Sequence, residues 1–158
     1  MEKNLKNEMK LEFLSKSANE AFARIAIAAF FSQLDPTIEE LADLKTSISE
    51  AVTNCIIHAY PNKEGKIKII GKLYEDEIEI EILDNGVGIE NIEEAKEPLF
   101  TTKSNLERSG MGFTIMESFM DQIEIESIVG MGTKVTMKKT IKNNSEAENA
   151  LKYASSSF

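Results

Sequence analysis

The feature that most constrains this chain is a change of hydrophobic period close to Pro61. Beyond it, "KIKII" and "EIEIEI" alternate charged and apolar residues, as half-buried strands do. Ile78, Ile80 and Ile82 are then expected to face a core, with Glu77, Glu79 and Glu81 toward water. "QIEIES" and "TKVTMKK" repeat the pattern around "VGMG", where Gly130 to Thr133 reads as a hairpin turn. A sheet with one apolar face needs a covering layer, and the residues before Pro61 carry helical spacing. Ser17 and Glu20 have capping-box spacing, which predicts a helix to about Gln33. That helix is apolar nearly all round and should bury more than one face. Asp35-Pro36 opens a second helix, with Pro36 in its first turn, running to about Ala59. "KLEFLS" adds a short strand ahead of both, and "GFTIMESFM" a short helix before the last strand pair. The expectation is an α+β fold: a two-layer α/β sandwich whose mixed, mostly antiparallel sheet carries helices on one face.

At 158 residues the chain suits one domain. Residues 1–8 read as a polar lead, 9–142 as the domain, and the Ser-rich 143–158 as a disordered tail. A net charge of -9 argues against direct nucleic-acid binding. Cys55 is the only cysteine, so no internal disulfide is expected and a reducing compartment fits. "MEKNLKNEMKLEF" lacks a signal-peptide run, and "AFARIAIAAFF" is too short to span a bilayer. A cytoplasmic protein without a membrane anchor is expected.

Four short stretches carry chemistry. In the second helix Leu44, Ile48, Ala51, Val52, Cys55 and Ala59 form the core stripe. Glu50, Asn54 and His58 stand on one flank, each about 6 Å along the axis from the next. A solvated flank and a shared small site both satisfy that spacing. "LDNGVG" places Asp84, Gly86 and Gly88 at a strand end; no partner strand follows, so a hairpin is disfavoured. The carboxylate there can accept a hydrogen bond from an exocyclic amine such as that of adenine. "SGMG" puts Gly110 and Gly112 where a helix begins, a ready phosphate site. Lys103 and Arg108, on the long loop before it, serve either solubility or closure over phosphates.

Read in order, E-x-x-x-N, D-x-G-x-G, G-x-G and G-x-G-T resemble the four ATP-binding boxes of the GHKL ATPase superfamily, whose ATP site is the Bergerat fold. The resemblance spans roughly Met9 to Thr140. It implies ATP or ADP held with Mg²⁺ under a lid, with Asn54 on the metal, Asp84 at adenine and Glu50 as general base. The nucleotide-contacting set it implies is Asn54, Asp84, Gly86, Gly88, Thr101, Thr102, Lys103, Arg108, Gly110, Met111, Gly112 and Thr133. His58 receives no role.

"NEAFARIAIAAF", "LDPTIEEL", "SEAVTN", "PLFTTK" and "ERSGMGFTIMESFMD" closely resemble the sporulation anti-sigma factors of the sigma-F system. That family implies a homodimer that binds an RNA polymerase sigma factor and acts as a serine kinase on an anti-anti-sigma protein. Two alternatives stay open: the related stress-response (sigma-B type) branch, and an ATP-gated binding module that hydrolyses ATP only as a timer. The first helix and the strand before it are expected to make the dimer contact, through an excess apolar face around Ile27 and Phe31. Arg24, alone in that apolar run, either snorkels to water or binds a partner carboxylate.

Overall fold

The computed structural model describes residues 3–97 and 112–142. Strand β1 (Asn7–Leu14) leads into helix α1 (Ala18–Phe31), a 3-10 turn (Ser32–Leu34) and helix α2 (Ile38–Asn54). A π-helical turn (Cys55–Ala59) prolongs α2. Strands β2 (Lys66–Leu73) and β3 (Glu77–Asp84), short helix α3 (Ile92–Ala95), helix α4 (Gly112–Phe119) and strands β4 (Gln122–Ile128) and β5 (Gly132–Thr140) follow. The strands form one sheet in the order β1-β2-β3-β5-β4. All four pairings are antiparallel, so among the described residues the sheet is antiparallel throughout rather than mixed. β1 begins at Asn7, within the stretch that the sequence reads as lead.

Register explains the core. Leu11, Ile69, Ile82, Val135 and Ile125 line up across the five strands, as do Met9, Gly71, Ile80, Met137 and Ile123. These rows face the helices, and Ile69, Ile80, Ile82 and Met137 are fully buried. The next row, Phe13, Ile67, Asp84, Thr133 and Ser127, turns polar over its last three strands. The apolar face thus ends in a carboxylate and two hydroxyls, all at one corner of the sheet.

Helix α2 packs against both α1 and α4. Its expected stripe of Leu44, Ile48, Ala51 and Val52 is buried, and Cys55 and Ala59 continue it through the π turn. Tyr60 N–H donates to Cys55 O at 3.2 Å, the five-residue spacing of that turn. Lys139 continues the sheet's helix-facing row, yet its ammonium donates to the Phe119 carbonyl at 2.7 Å and lies 3.7 Å from Asp43 Oδ2. A cation thereby satisfies the C-terminal end of α4 and ties it to α2.

Three local expectations are corrected. Ser17 makes no side-chain cap, because its backbone is already helical at φ -54°, ψ -34°, whereas a capping oxygen needs extended backbone. Glu20 is 3.3 Å from Arg24 instead. The capping box belongs to α2: Thr37 is extended, its hydroxyl accepts from Glu40 N–H at 3.0 Å, and Glu40 accepts from Thr37 N–H at 2.9 Å. Pro36 therefore precedes the cap instead of standing in the first turn. On α1, Ile27 and Phe31 are fully buried in the core, while Phe22 and Ile25 are 52% and 62% exposed. Any unspent apolar face is thus at Phe22 and Ile25, because the other side of the helix is consumed by α2 and the sheet.

The two candidate caps give a paired prediction. Thr37→Ala should cost about 1 kcal/mol of unfolding free energy. Ser17→Ala should stay within about 0.5 kcal/mol of the parent, as surface changes do. Urea denaturation of both variants measures the difference, and equal losses would contradict the assignment of the cap.

Candidate functional site

A cavity of about 320 Å³ opens at the polar corner of the sheet, between α2, the loop after β3, α3 and the start of α4. Asp84 sits at its base because it continues the Ile78, Ile80, Ile82 alternation, so its carboxylate points into the layer between sheet and helices. Oδ1 accepts from Gly86 N–H at 2.9 Å and Thr133 N–H at 3.2 Å. Oδ2 accepts from the Cys55 thiol at 3.4 Å. Burial, reinforced by the charge on Asp84, pushes the Cys55 thiol well above its ordinary range, so it remains a protonated donor at neutral pH.

The loop after β3 is held on both sides. Tyr60 hydroxyl accepts from Asn85 N–H at 2.7 Å and donates to Lys66 O at 2.6 Å. Val87 N–H reaches Ala59 O at 3.0 Å, and Gly130 N–H in the β4–β5 turn reaches Val87 O at 2.8 Å. Gly88 has φ +79°, and a Cβ there would lie 2.5 Å from Ile128 O, so a side chain is excluded twice over. Ser127 hydroxyl accepts from Ile89 N–H at 2.8 Å and pairs with the Thr133 hydroxyl at 2.8 Å. Gly86, Gly88 and Thr133 are thus part of one fastened frame around Asp84. The "GMGT" hairpin turn stands where it was expected, joining β4 to β5.

At the other side of the cavity, α4 begins against α2. A Cβ on Gly112 would lie 3.1 Å from Asn54 Nδ2 and 3.3 Å from Glu50 Oε2. A side chain there would make the Asn54 or Glu50 side chain give by a few tenths of an ångström, so glycine suits the close approach, and the dipole at a helix start favours anionic oxygen. Asn54 and His58 line the cavity, and Glu50 stands one turn back against the same glycine. The structure therefore brings Glu50, Asn54, Asp84, Gly86, Gly88, Gly112 and Thr133 to one place. Thr101, Thr102, Lys103, Arg108, Gly110 and Met111 lie outside the described residues. Arg24 is remote: no residue of α1 lines the cavity, and its guanidinium is beside Glu20.

Sequence reasoning passed over three participants. Cys55 was read only as core, although it follows Asn54 directly and faces Asp84. Tyr60, which locks the loop, had only its place before Pro61 to mark it. α3 supplies Glu94 and Ala95 to the cavity wall. Its signal was present in Asn91, whose side chain accepts from Glu94 N–H at 3.1 Å as an N-cap.

The donor set fits an adenine nucleotide. Ala51, Val87, Ile89 and Val135 give apolar surface for a flat ring, Asp84 gives an acceptor at its edge, and the α4 start suits phosphate. Asn54 and Glu50 offer hard oxygen ligands, as Mg²⁺ prefers. Among the described residues no group of three or more His, Cys, Asp or Glu could hold a metal alone. A divalent ion here would need phosphate oxygens to complete its shell, the usual arrangement for Mg²⁺.

Comparison with known proteins agrees with this geometry. The family model described as "Histidine kinase-like ATPase domain" matches residues 13–139. An anti-sigma F factor from Clostridium perfringens is 62% identical over 134 residues, covering 84% of this chain and 96% of that protein. One from Clostridium beijerinckii is 60% identical over 134 residues, with 84% and 94% covered. One from Caldanaerobacter subterraneus subsp. tengcongensis is 59% identical over 138 residues, with 87% and 96% covered. Among solved structures, the RsbU and RsbW domains of Rv1364c from Mycobacterium tuberculosis superpose with a TM-score of 0.62 at 15% identity, over 86% of this chain and 32% of that one. A blue-light activated histidine kinase from Erythrobacter litoralis gives 0.51 at 16% identity, over 77% and 60%. These two likenesses speak for the fold alone. With most of its length matched at about 60% identity, the chain belongs to the anti-sigma F factors, within the histidine kinase-like ATPase domains.

Proposed function

We propose that this protein is a nucleotide-dependent anti-sigma factor and serine kinase. It binds a sporulation sigma factor of RNA polymerase, holds ATP or ADP, and passes the γ-phosphoryl group of ATP to a serine of an anti-anti-sigma protein. The observation that carries the reading is the meeting of Gly112, Asn54 and Glu50 at one side of the cavity that has Asp84 at its base. The near-60% identity to anti-sigma F factors favours the sigma-F branch over the stress-response one.

Each side chain has a task in that scheme. Asp84 accepts from the adenine amine, and Thr133 holds the Asp84 carboxylate from the neighbouring strand. The α4 start at Gly112 meets phosphate, joined by Gly110, Met111, Thr101 and Thr102 of the flanking motifs. Asn54 would hold Mg²⁺, which would supply neutralisation of charge on the phosphates. Lys103 and Arg108 add positive charge to the transferring group. Glu50 takes the proton of the attacking serine, or of water where ATP is spent without a protein acceptor. As a partner of RNA polymerase the protein would work in the cytoplasm. For the homodimer, the exposed Phe22 and Ile25 of α1 supply the apolar surface. Arg24, 38% exposed and lightly held by Glu20, is free enough to exchange that carboxylate for one on a partner.

Three outcomes test the scheme. Asp84→Asn should weaken ATP and ADP alike, because adenine is common to both, whereas Asn54→Ala should mainly remove the Mg²⁺-dependent part of the affinity. Calorimetric titration with and without Mg²⁺ separates the two, and undiminished binding in both variants would sink the assignment. Glu50→Gln keeps shape but cannot take a proton. Transfer of labelled phosphate to the antagonist should fall by about 10²–10⁴ with ATP binding retained; a parental rate would remove Glu50 from that role. Arg24→Glu should weaken the sigma factor and the antagonist together and leave nucleotide binding unchanged. Surface plasmon resonance against each partner reads this directly, and unaltered affinity for both would return Arg24 to a helix-edge residue.

A further inference from the structure

The donors around Asp84 can be counted. A carboxylate offers about four acceptor directions across its two oxygens. Gly86 N–H and Thr133 N–H fill both directions at Oδ1. The Cys55 thiol, itself buried, fills one at Oδ2. Each donor comes from a different element: the loop after β3, strand β5 and the π turn after α2. One direction remains, and both Asp84 and Cys55 line the cavity.

We infer that Cys55 is a positioning residue for base selection: by occupying one direction of Asp84 Oδ2, it leaves a single, oriented acceptor for one N–H of the bound base. The inference rests on the reading of Asp84 as the adenine acceptor. Adenine has an exocyclic amine to donate there. Hypoxanthine presents a carbonyl oxygen at the same edge, which meets the carboxylate as one acceptor against another. With the second direction of Oδ2 closed, neither a water nor a shift of the carboxylate relieves that conflict. Ala51 and Val135 stand in the same cavity wall, where a thiol is tolerated with less desolvation than a hydroxyl.

The test compares affinities for ATP and inosine triphosphate in the full chain with Mg²⁺, for the parent and for Cys55→Ala, Cys55→Val, Cys55→Ser and Asp84→Asn. Cys55→Ala and Cys55→Val remove the donor, and should lower the ATP-to-inosine-triphosphate preference about five- to tenfold, as loss of one hydrogen bond does. Cys55→Val keeps the volume, so a void cannot account for its effect. Cys55→Ser restores a donor and should stay within about twofold of the parent. A packing role would weaken both nucleotides equally and leave the ratio alone. An unchanged ratio in Cys55→Ala and Cys55→Val, with Asp84→Asn losing its preference for ATP, would overturn the role of Cys55 and leave that of Asp84 standing. Parental ATP affinity in Asp84→Asn would overturn both.

Discussion

Burying the Asp84 carboxylate on the apolar face of a sheet is the constraint on which the site depends. The residue is 9% exposed, and it occupies the register position after Ile82 that β3 would otherwise give to another aliphatic side chain. An uncompensated charge there would cost several kcal/mol, so donors must be delivered to it. Two backbone N–H groups and a thiol do so. To aim them, the loop after β3 is clamped by Tyr60 and Ala59, and the β4–β5 turn is fastened back onto Val87. The frame of the cavity is thus the solvation shell of one carboxylate, built from protein. A ligand N–H, such as the amine of the proposed adenine, would complete that shell without rearrangement.

Helix α2 joins this frame to the phosphate side. Its stripe from Leu44 to Val52 anchors it in the core, so the flank carrying Glu50 and Asn54 has little freedom to move. The π turn then carries Cys55 to Asp84 and His58 into the cavity wall. From the far side, Lys139 and Asp43 hold the end of α4 while Gly112 places its start against Asn54 and Glu50. Among the described residues, core packing therefore sets the spacing between Asp84 and Gly112, the two ends proposed for adenine and phosphate.

Much of this was legible in the sequence, for identifiable reasons. The strands were readable because one face of the sheet is covered and the other is not, which writes a period of two into "EIEIEI". The E-x-x-x-N and D-x-G-x-G residues were readable because polar groups interrupt otherwise apolar patterns at strand and helix ends. Three things were hidden. Ser17 and Thr37 both stand three residues before a Glu, and only the backbone angle tells which one caps. α1 is apolar nearly all round, so its pattern cannot say that Ile27 is consumed by the core while Ile25 is not. A single π turn shifts the helical phase too little to show in a hydrophobic period, so the contact from Cys55 to Asp84 left no trace.

The most direct measurement is a crystal structure of the chain with Mg²⁺ and a non-hydrolysable ATP analogue. An adenine site anchored on Asp84 requires the exocyclic amine within about 3 Å of Oδ2, as for an ordinary N–H···O bond. It also requires the Mg²⁺ ion between Asn54 and the phosphates, at the Gly112 end of α4. A nucleotide bound in the reverse sense, or with no donor on Asp84, would contradict it.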